Sequence, residues 1–144
     1  MSLHSRQAFT LIELLIVVVI LAILAAAVIP QFTDSTMDAK QSTARINLGV
    51  LRKQIQLYKT QHDGRLPSAD LNELTKQTDV TGAAGTDFGP YLLRVPENPL
   101  SGSSTVRAAA TNPPAAASGA SDPGWLYHAA SGNIWIDDAG YLTE

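Results

Sequence analysis

The sequence predicts an α+β fold in which one long N-terminal helix carries a small antiparallel sheet on its second half. Three observations predict it. Residues 9–29 form an almost unbroken apolar run. Apolar residues then recur at helical spacing as far as Tyr58. Segments that alternate between apolar and polar side chains come near the C-terminal end, around Trp125 and Ile134.

The apolar run FTLIELLIVVVILAILAAAVI contains one carboxylate, Glu13. A helix rises about 1.5 Å per residue, so residues 9–29 are long enough to cross a hydrocarbon core of about 30 Å. A charged side chain inside such a span is costly unless it is paired or neutralised. We therefore predict a membrane-spanning helix over residues 9–29 and treat Glu13 as a candidate functional residue.

The charges that flank this run predict its orientation. Arg6 precedes it, and no other Lys or Arg occurs before Lys40. This asymmetry predicts a cytoplasmic N-terminus and a C-terminal domain on the far side of the membrane. The alternative is an ordinary secretory signal cut before Val28. The run is slightly long for such a signal, and Glu13 would serve no purpose in it.

Pro30 follows the run and predicts a kink or an end of the helix, because proline removes a backbone donor. The pattern after it favours a kink, with one helix continuing to about residue 62. One apolar stripe recurs at steps of four and three residues: Ala44, Leu48, Leu51, Ile55 and Tyr58. A thinner stripe lies on the opposite side: Ala39, Ile46, Val50 and Leu57. We expect the first stripe on the domain's own sheet and the second on neighbouring subunits.

The sequence from Ala8 to Glu13, Ala-Phe-Thr-Leu-Ile-Glu, followed by an apolar run, resembles the class III signal peptide of type IV pilins and type II secretion pseudopilins. The resemblance implies cleavage by prepilin peptidase between Ala8 and Phe9 and methylation of the Phe9 amine. It gives Glu13 and Pro30 roles in assembly. Ala8 stands where the family usually has glycine. The segment from Tyr58 to Pro67 is similar to the helix exit of major pseudopilins.

After the long helix we expect shorter elements. Asp63-Gly64 predicts a helix end, and Ser68 is expected to cap a short helix over residues 69–77. Three further expectations cover the C-terminal part: a short strand at residues 105–107, an irregular surface loop at 108–121, and a partial strand at 139–144. Residues 125–128 and 133–137 are predicted to pair as a hairpin, with Trp125, Tyr127, Ile134 and Ile136 facing the helix and Trp135 pointing outward.

Little in the sequence indicates catalysis. The chain has no cysteine, which excludes disulfides and thiolate chemistry. His62 and His128 are isolated and read as surface or capping residues. Asp137 and Asp138 are weak candidates for calcium, which the family resemblance suggests; the alternative is a solvated turn. No catalytic residue or cofactor is predicted. Residues 31–144 hold nine Lys or Arg and twelve Asp or Glu, a net charge of −3 that predicts no nucleic-acid partner.

We therefore predict three parts: a leader (1–8), a transmembrane and assembly helix (9–29), and a periplasmic domain (30–144). The resemblance implies a filament subunit, not an enzyme, of a type IV pilus or a type II secretion system. The implied partners are other copies or other subunits, prepilin peptidase, an inner-membrane assembly platform and the membrane itself. The alternative function is a periplasmic binding domain tethered by one membrane helix, without a filament.

Overall fold

A computed structural model describes residues 9–142, and of residues 29–34 it describes the backbone alone. The leader lies outside the described residues. The chain divides into two compact units, residues 1–38 and 39–144. One helix, α1 (Leu11–Gln61), begins in the first unit and ends in the second. The helical backbone of α1 continues through Pro30 without a break.

The second unit adds one short helix and a three-stranded sheet to α1. A 3₁₀ helix covers Asn72–Thr75, and the strands are β1 (Val106–Ala108), β2 (Trp125–His128) and β3 (Asn133–Ile136). The strand order is β1-β2-β3, with β1 parallel to β2 and β2 antiparallel to β3. The α+β fold class is confirmed, and so is the hairpin. The prediction that the sheet is antiparallel throughout was wrong: the sheet is mixed, because β1 pairs with β2 in parallel.

The core of the second unit forms between α1 and the sheet. All five residues of the first stripe of α1 are at most 2% exposed. They join one buried cluster with Trp125, Tyr127, Ile134 and Ile136, the four residues predicted to face the helix. Leu71 and Leu74 complete the cluster from the segment after α1. The apolar stripe along one face of α1 thus packs against the alternate side chains of β2 and β3 that point towards the helix.

Trp135 was predicted to point outward, and this was wrong. Trp135 is 6% exposed, and Leu126, directly opposite it in the β2–β3 register, is 3% exposed. The loop at residues 109–121 lies over this outer sheet face. Residues 108–111 and 114–116 line a cavity together with Leu126. The loop is irregular as predicted, but it covers a second apolar face instead of running free over the surface.

Three further expectations are corrected. The short helix is a single 3₁₀ turn over residues 72–75, because Leu71 adopts a left-handed conformation (φ 57°) that interrupts α-helical geometry. The prediction that Ser68 caps the short helix was wrong: Leu71 is the N-cap residue, and the Ser68 hydroxyl donates to Asp70 at 2.6 Å instead of accepting from a backbone N–H. Within residues 139–142 there is no strand, because Gly140 donates its N–H to Asp138 in a tight turn.

Candidate assembly surface

The N-terminal end of α1 is a capping box formed by Thr10 and Glu13. The Thr10 backbone N–H and hydroxyl both donate to one Glu13 carboxylate oxygen, at 2.7 and 2.8 Å. In return the Glu13 N–H donates to the Thr10 hydroxyl at 3.3 Å. This reciprocal arrangement satisfies donors that a helix start otherwise leaves without a partner. Glu13 therefore has a structural role inside its own chain, which sequence reasoning missed although the Thr-x-x-Glu spacing signals it.

The remainder of the first unit offers apolar surface. Within residues 9–142, one helix is long and apolar enough to cross a membrane, over Leu11–Val28, and none of that stretch is buried within the chain. Phe9, just before the helix, is 80% exposed. Ala8, the other predicted processing residue, lies outside the described residues. For Pro30 the structure gives the helical backbone and nothing of the side chain.

The second unit contributes an outer face of α1. Three large side chains of the second stripe are exposed: Ile46 (63%), Val50 (37%) and Leu57 (44%). The opposite face of the same turns is buried, as the first stripe shows. The domain thus covers one side of α1 and leaves apolar surface on the other. Residues 11–28 of the first unit and this outer face of the second unit are two separate candidate assembly surfaces.

His62 was expected to be a surface or capping residue, and the structure corrects this. Its ring is fully buried and stacks on Tyr58, with ring centroids 3.7 Å apart. Nδ1 lies 2.8 Å from the Tyr58 carbonyl oxygen, so this nitrogen carries a proton, and Nε2 lies 2.9 Å from the Thr78 hydroxyl. Burial raises the pKa of the Tyr58 hydroxyl. These contacts of His62 join the end of α1 to the loop that follows it, so His62 has a packing role.

Asp137 and Asp138 bond to different partners. Asp137 is 2% exposed and accepts hydrogen bonds from the backbone N–H of Ser118, at 2.7 Å, and from the Ser118 hydroxyl. Asp138 accepts from the Gly140 N–H. Among the described residues, no three His, Asp or Glu side chains lie close enough together to hold a metal ion. Asp137 instead ties the loop at residues 109–121 to the end of β3.

The long helix with its apolar first half and the small sheet packed on its second half define a pilin-like class of protein. Residues 3–29 match the family model of the prokaryotic N-terminal methylation motif. The type II secretion system core protein G of Aeromonas hydrophila is 30% identical over 102 residues, which cover 69% of this chain and 71% of that protein. The chain therefore belongs to the type IV pilin-like family, with type II secretion pseudopilins as relatives.

Other comparisons agree with this family. The type II secretion system core protein G of Vibrio cholerae is 29% identical over 100 residues, 68% of each chain. The ComG operon protein 3 homolog of Bacillus licheniformis is 30% identical over 64 residues, 44% of this chain and 66% of that protein. No solved structure matches the chain.

Proposed function

We propose that this protein is a structural, non-enzymatic subunit of a filament of the type II secretion or type IV pilus kind. The observation that carries the proposal is the exposed apolar surface of residues 11–28 of α1, which lies within the matched methylation motif. Exposed apolar surface of this extent marks a membrane or protein contact. In the proposed cycle it lies first in the inner membrane and then against other subunits.

The processing step follows from the motif. Prepilin peptidase cuts between Ala8 and Phe9 and methylates the Phe9 amine, while the N-terminus faces the cytoplasm and the second unit lies in the periplasm. The assembly platform then transfers the processed subunit into the filament. Intact-mass analysis of the membrane-extracted protein tests this step. A mature chain that begins at Phe9 supports the proposal, and one that begins at Val28 indicates an ordinary secretory signal.

Glu13 is proposed to pair with the Phe9 amine of a neighbouring subunit. Cleavage creates that cation, and a low-dielectric filament core strengthens the attraction. In the free chain the carboxylate is held by Thr10. The capping bonds keep it oriented at the helix start until a neighbour supplies the charge. The alternative function, a tethered binding domain, gives Glu13 no role beyond capping, so the charge of Glu13 separates the two functions.

Pro30 is proposed to loosen α1 when subunits pack. Proline in a helix interior costs about 3 kcal/mol relative to alanine. We expect Pro30→Ala to stabilise the isolated helix and to lower filament yield or change filament symmetry, measured by electron microscopy of sheared filaments. Wild-type yield and symmetry from this variant would contradict the role.

A further inference from the structure

The outer face of α1 contains a hole. Ile46, Gly49, Val50 and Lys53 occupy positions i, i+3, i+4 and i+7, the four positions that surround an inserted side chain in knobs-into-holes packing. A Cβ added at Gly49 would meet no atom within 4 Å. Glycine inside a helix costs about 0.5–1 kcal/mol relative to alanine. No atom of the described residues lies close enough to require a glycine here, and glycine at this position permits close approach by another molecule.

A matching knob lies on a loop of the same unit. Leu93 is 97% exposed, the highest value among the large apolar side chains that the structure describes. The backbone before it is anchored, since the N–H groups of Tyr91 and Leu92 both donate to the Leu74 carbonyl at 2.9 Å. Val95, after it, packs against the core. Leu93 therefore projects from a segment held on both sides.

The distribution of charge along the chain favours a second copy of the same protein as the partner. The helix residues 39–61 carry five cations, Lys40, Arg45, Arg52, Lys53 and Lys59, and no Asp or Glu. Residues 62–142 carry nine acidic residues, Asp63, Asp70, Glu73, Asp79, Asp87, Glu97, Asp122, Asp137 and Asp138, against four Lys or Arg. Two such helix segments repel each other, whereas the helix face of one copy complements the loop surface of another. Leu93 lines a cavity of about 440 Å³ together with Asp70, Glu97 and Arg94, so two carboxylates and one cation lie in its lining.

We propose that Leu93 of one copy inserts into the Gly49 hole of a second copy, with Lys53 of the second copy beside Asp70 and Glu97 of the first. The inference rests on the proposed filament function and names the surfaces that meet in it. In the proposed contact one copy supplies the knob and the other supplies the hole, so the contact is heterologous. Repetition of a heterologous contact builds an open chain of subunits, as a filament requires.

Disulfide cross-linking of the full-length protein tests the contact, because the chain has no cysteine of its own. Gly49→Cys and Leu93→Cys are introduced into separate copies that carry different tags and are produced together. We expect a mixed disulfide that joins the two tags after mild oxidation. The matched control replaces Leu93→Cys by Val80→Cys, another exposed loop residue, and is expected to give at least tenfold less product. A mixed product no stronger than this control overturns the contact, as does equally strong linkage of Leu93→Cys to itself.

Filaments sheared from the same cells separate this inference from the function it rests on. Wild-type filaments without the Gly49–Leu93 disulfide overturn the contact and support the filament function. A disulfide without any wild-type filament supports the contact and overturns the filament function. Leu93→Ala gives a second reading: we expect unchanged thermal stability, since the side chain is exposed, and at least tenfold fewer filaments. An unchanged filament yield overturns the contact.

Discussion

The two halves of α1 carry apolar side chains in different settings. In residues 11–28 the apolar side chains are exposed on every side of the helix. In residues 39–61 one face is buried by the sheet and the opposite face keeps Ile46, Val50 and Leu57 exposed. Within the described residues, the sheet covers one face of α1 in residues 39–61, and the other large apolar side chains of α1 are exposed. Changes on that face should affect folding, and changes elsewhere on the helix should affect assembly.

The largest expected effect on filament assembly is at Glu13. Glu13→Gln keeps the side-chain length and the capping role, since glutamine also serves in a capping box, but removes the charge. If pairing with a neighbouring amine drives docking, both Glu13→Gln and Glu13→Ala lower filament incorporation by at least about tenfold, which corresponds to about 1.4 kcal/mol. Filament yield is measured beside the membrane level of the processed subunit, and Glu13→Asp is expected to be intermediate because its shorter side chain misplaces the oxygen.

The outcomes for Glu13 distinguish its two roles. Wild-type yield from Glu13→Gln together with loss in Glu13→Ala would show that capping alone matters. Wild-type yield from both variants would reject the pairing mechanism. Insertion and cleavage should be intact in all three variants, because the apolar run and the cleavage site are unchanged.

The next prediction compares the two faces of residues 39–61. Leu51→Ala should lower the free energy of unfolding by about 2–5 kcal/mol, the range for a buried leucine. Ile46→Ala should have much less effect, because that side chain is 63% exposed, and should instead reduce filament yield. Thermal or denaturant unfolding of a fragment that begins near Gln31 measures both. Equal destabilisation by the two substitutions would place both faces inside the domain.

The smallest expected effect concerns the loop over the outer sheet face. Ser118→Ala removes the hydroxyl that bonds to Asp137, and leaving a buried carboxylate short of a donor costs about 1–3 kcal/mol. We expect a lower unfolding midpoint and a red-shifted tryptophan emission, since Trp135 gains contact with water. Ser121→Ala, an exposed serine of the same loop, is the control. An unchanged spectrum and midpoint for Ser118→Ala would show that Asp137 does not hold the loop closed.

The sequence by itself determined the long helix, its two stripes and the hairpin, because these follow from local periodicity. Leu48, Leu51 and Ile55 repeat at helical spacing, and their burial follows once any sheet covers that side. The four inward residues of β2 and β3 follow in the same way from alternation. The methylation motif and Glu13 are likewise signals contained in consecutive residues, and the Thr-x-x-Glu spacing of Thr10 and Glu13 is a local signal of the capping box as well.

Only the tertiary structure decided the features that depend on distant segments. Trp135 reads as an outward residue by alternation, but it is buried on the sheet face where Leu126 lines a cavity with the loop that Asp137 ties down through Ser118. His62 is buried because residues 78–91 fold back over the end of α1. The parallel pairing of β1 with β2 joins two strands that the loop at residues 109–121 separates in the sequence. Such contacts bring together residues far apart in the chain, and no local pattern of side chains records which of them will meet.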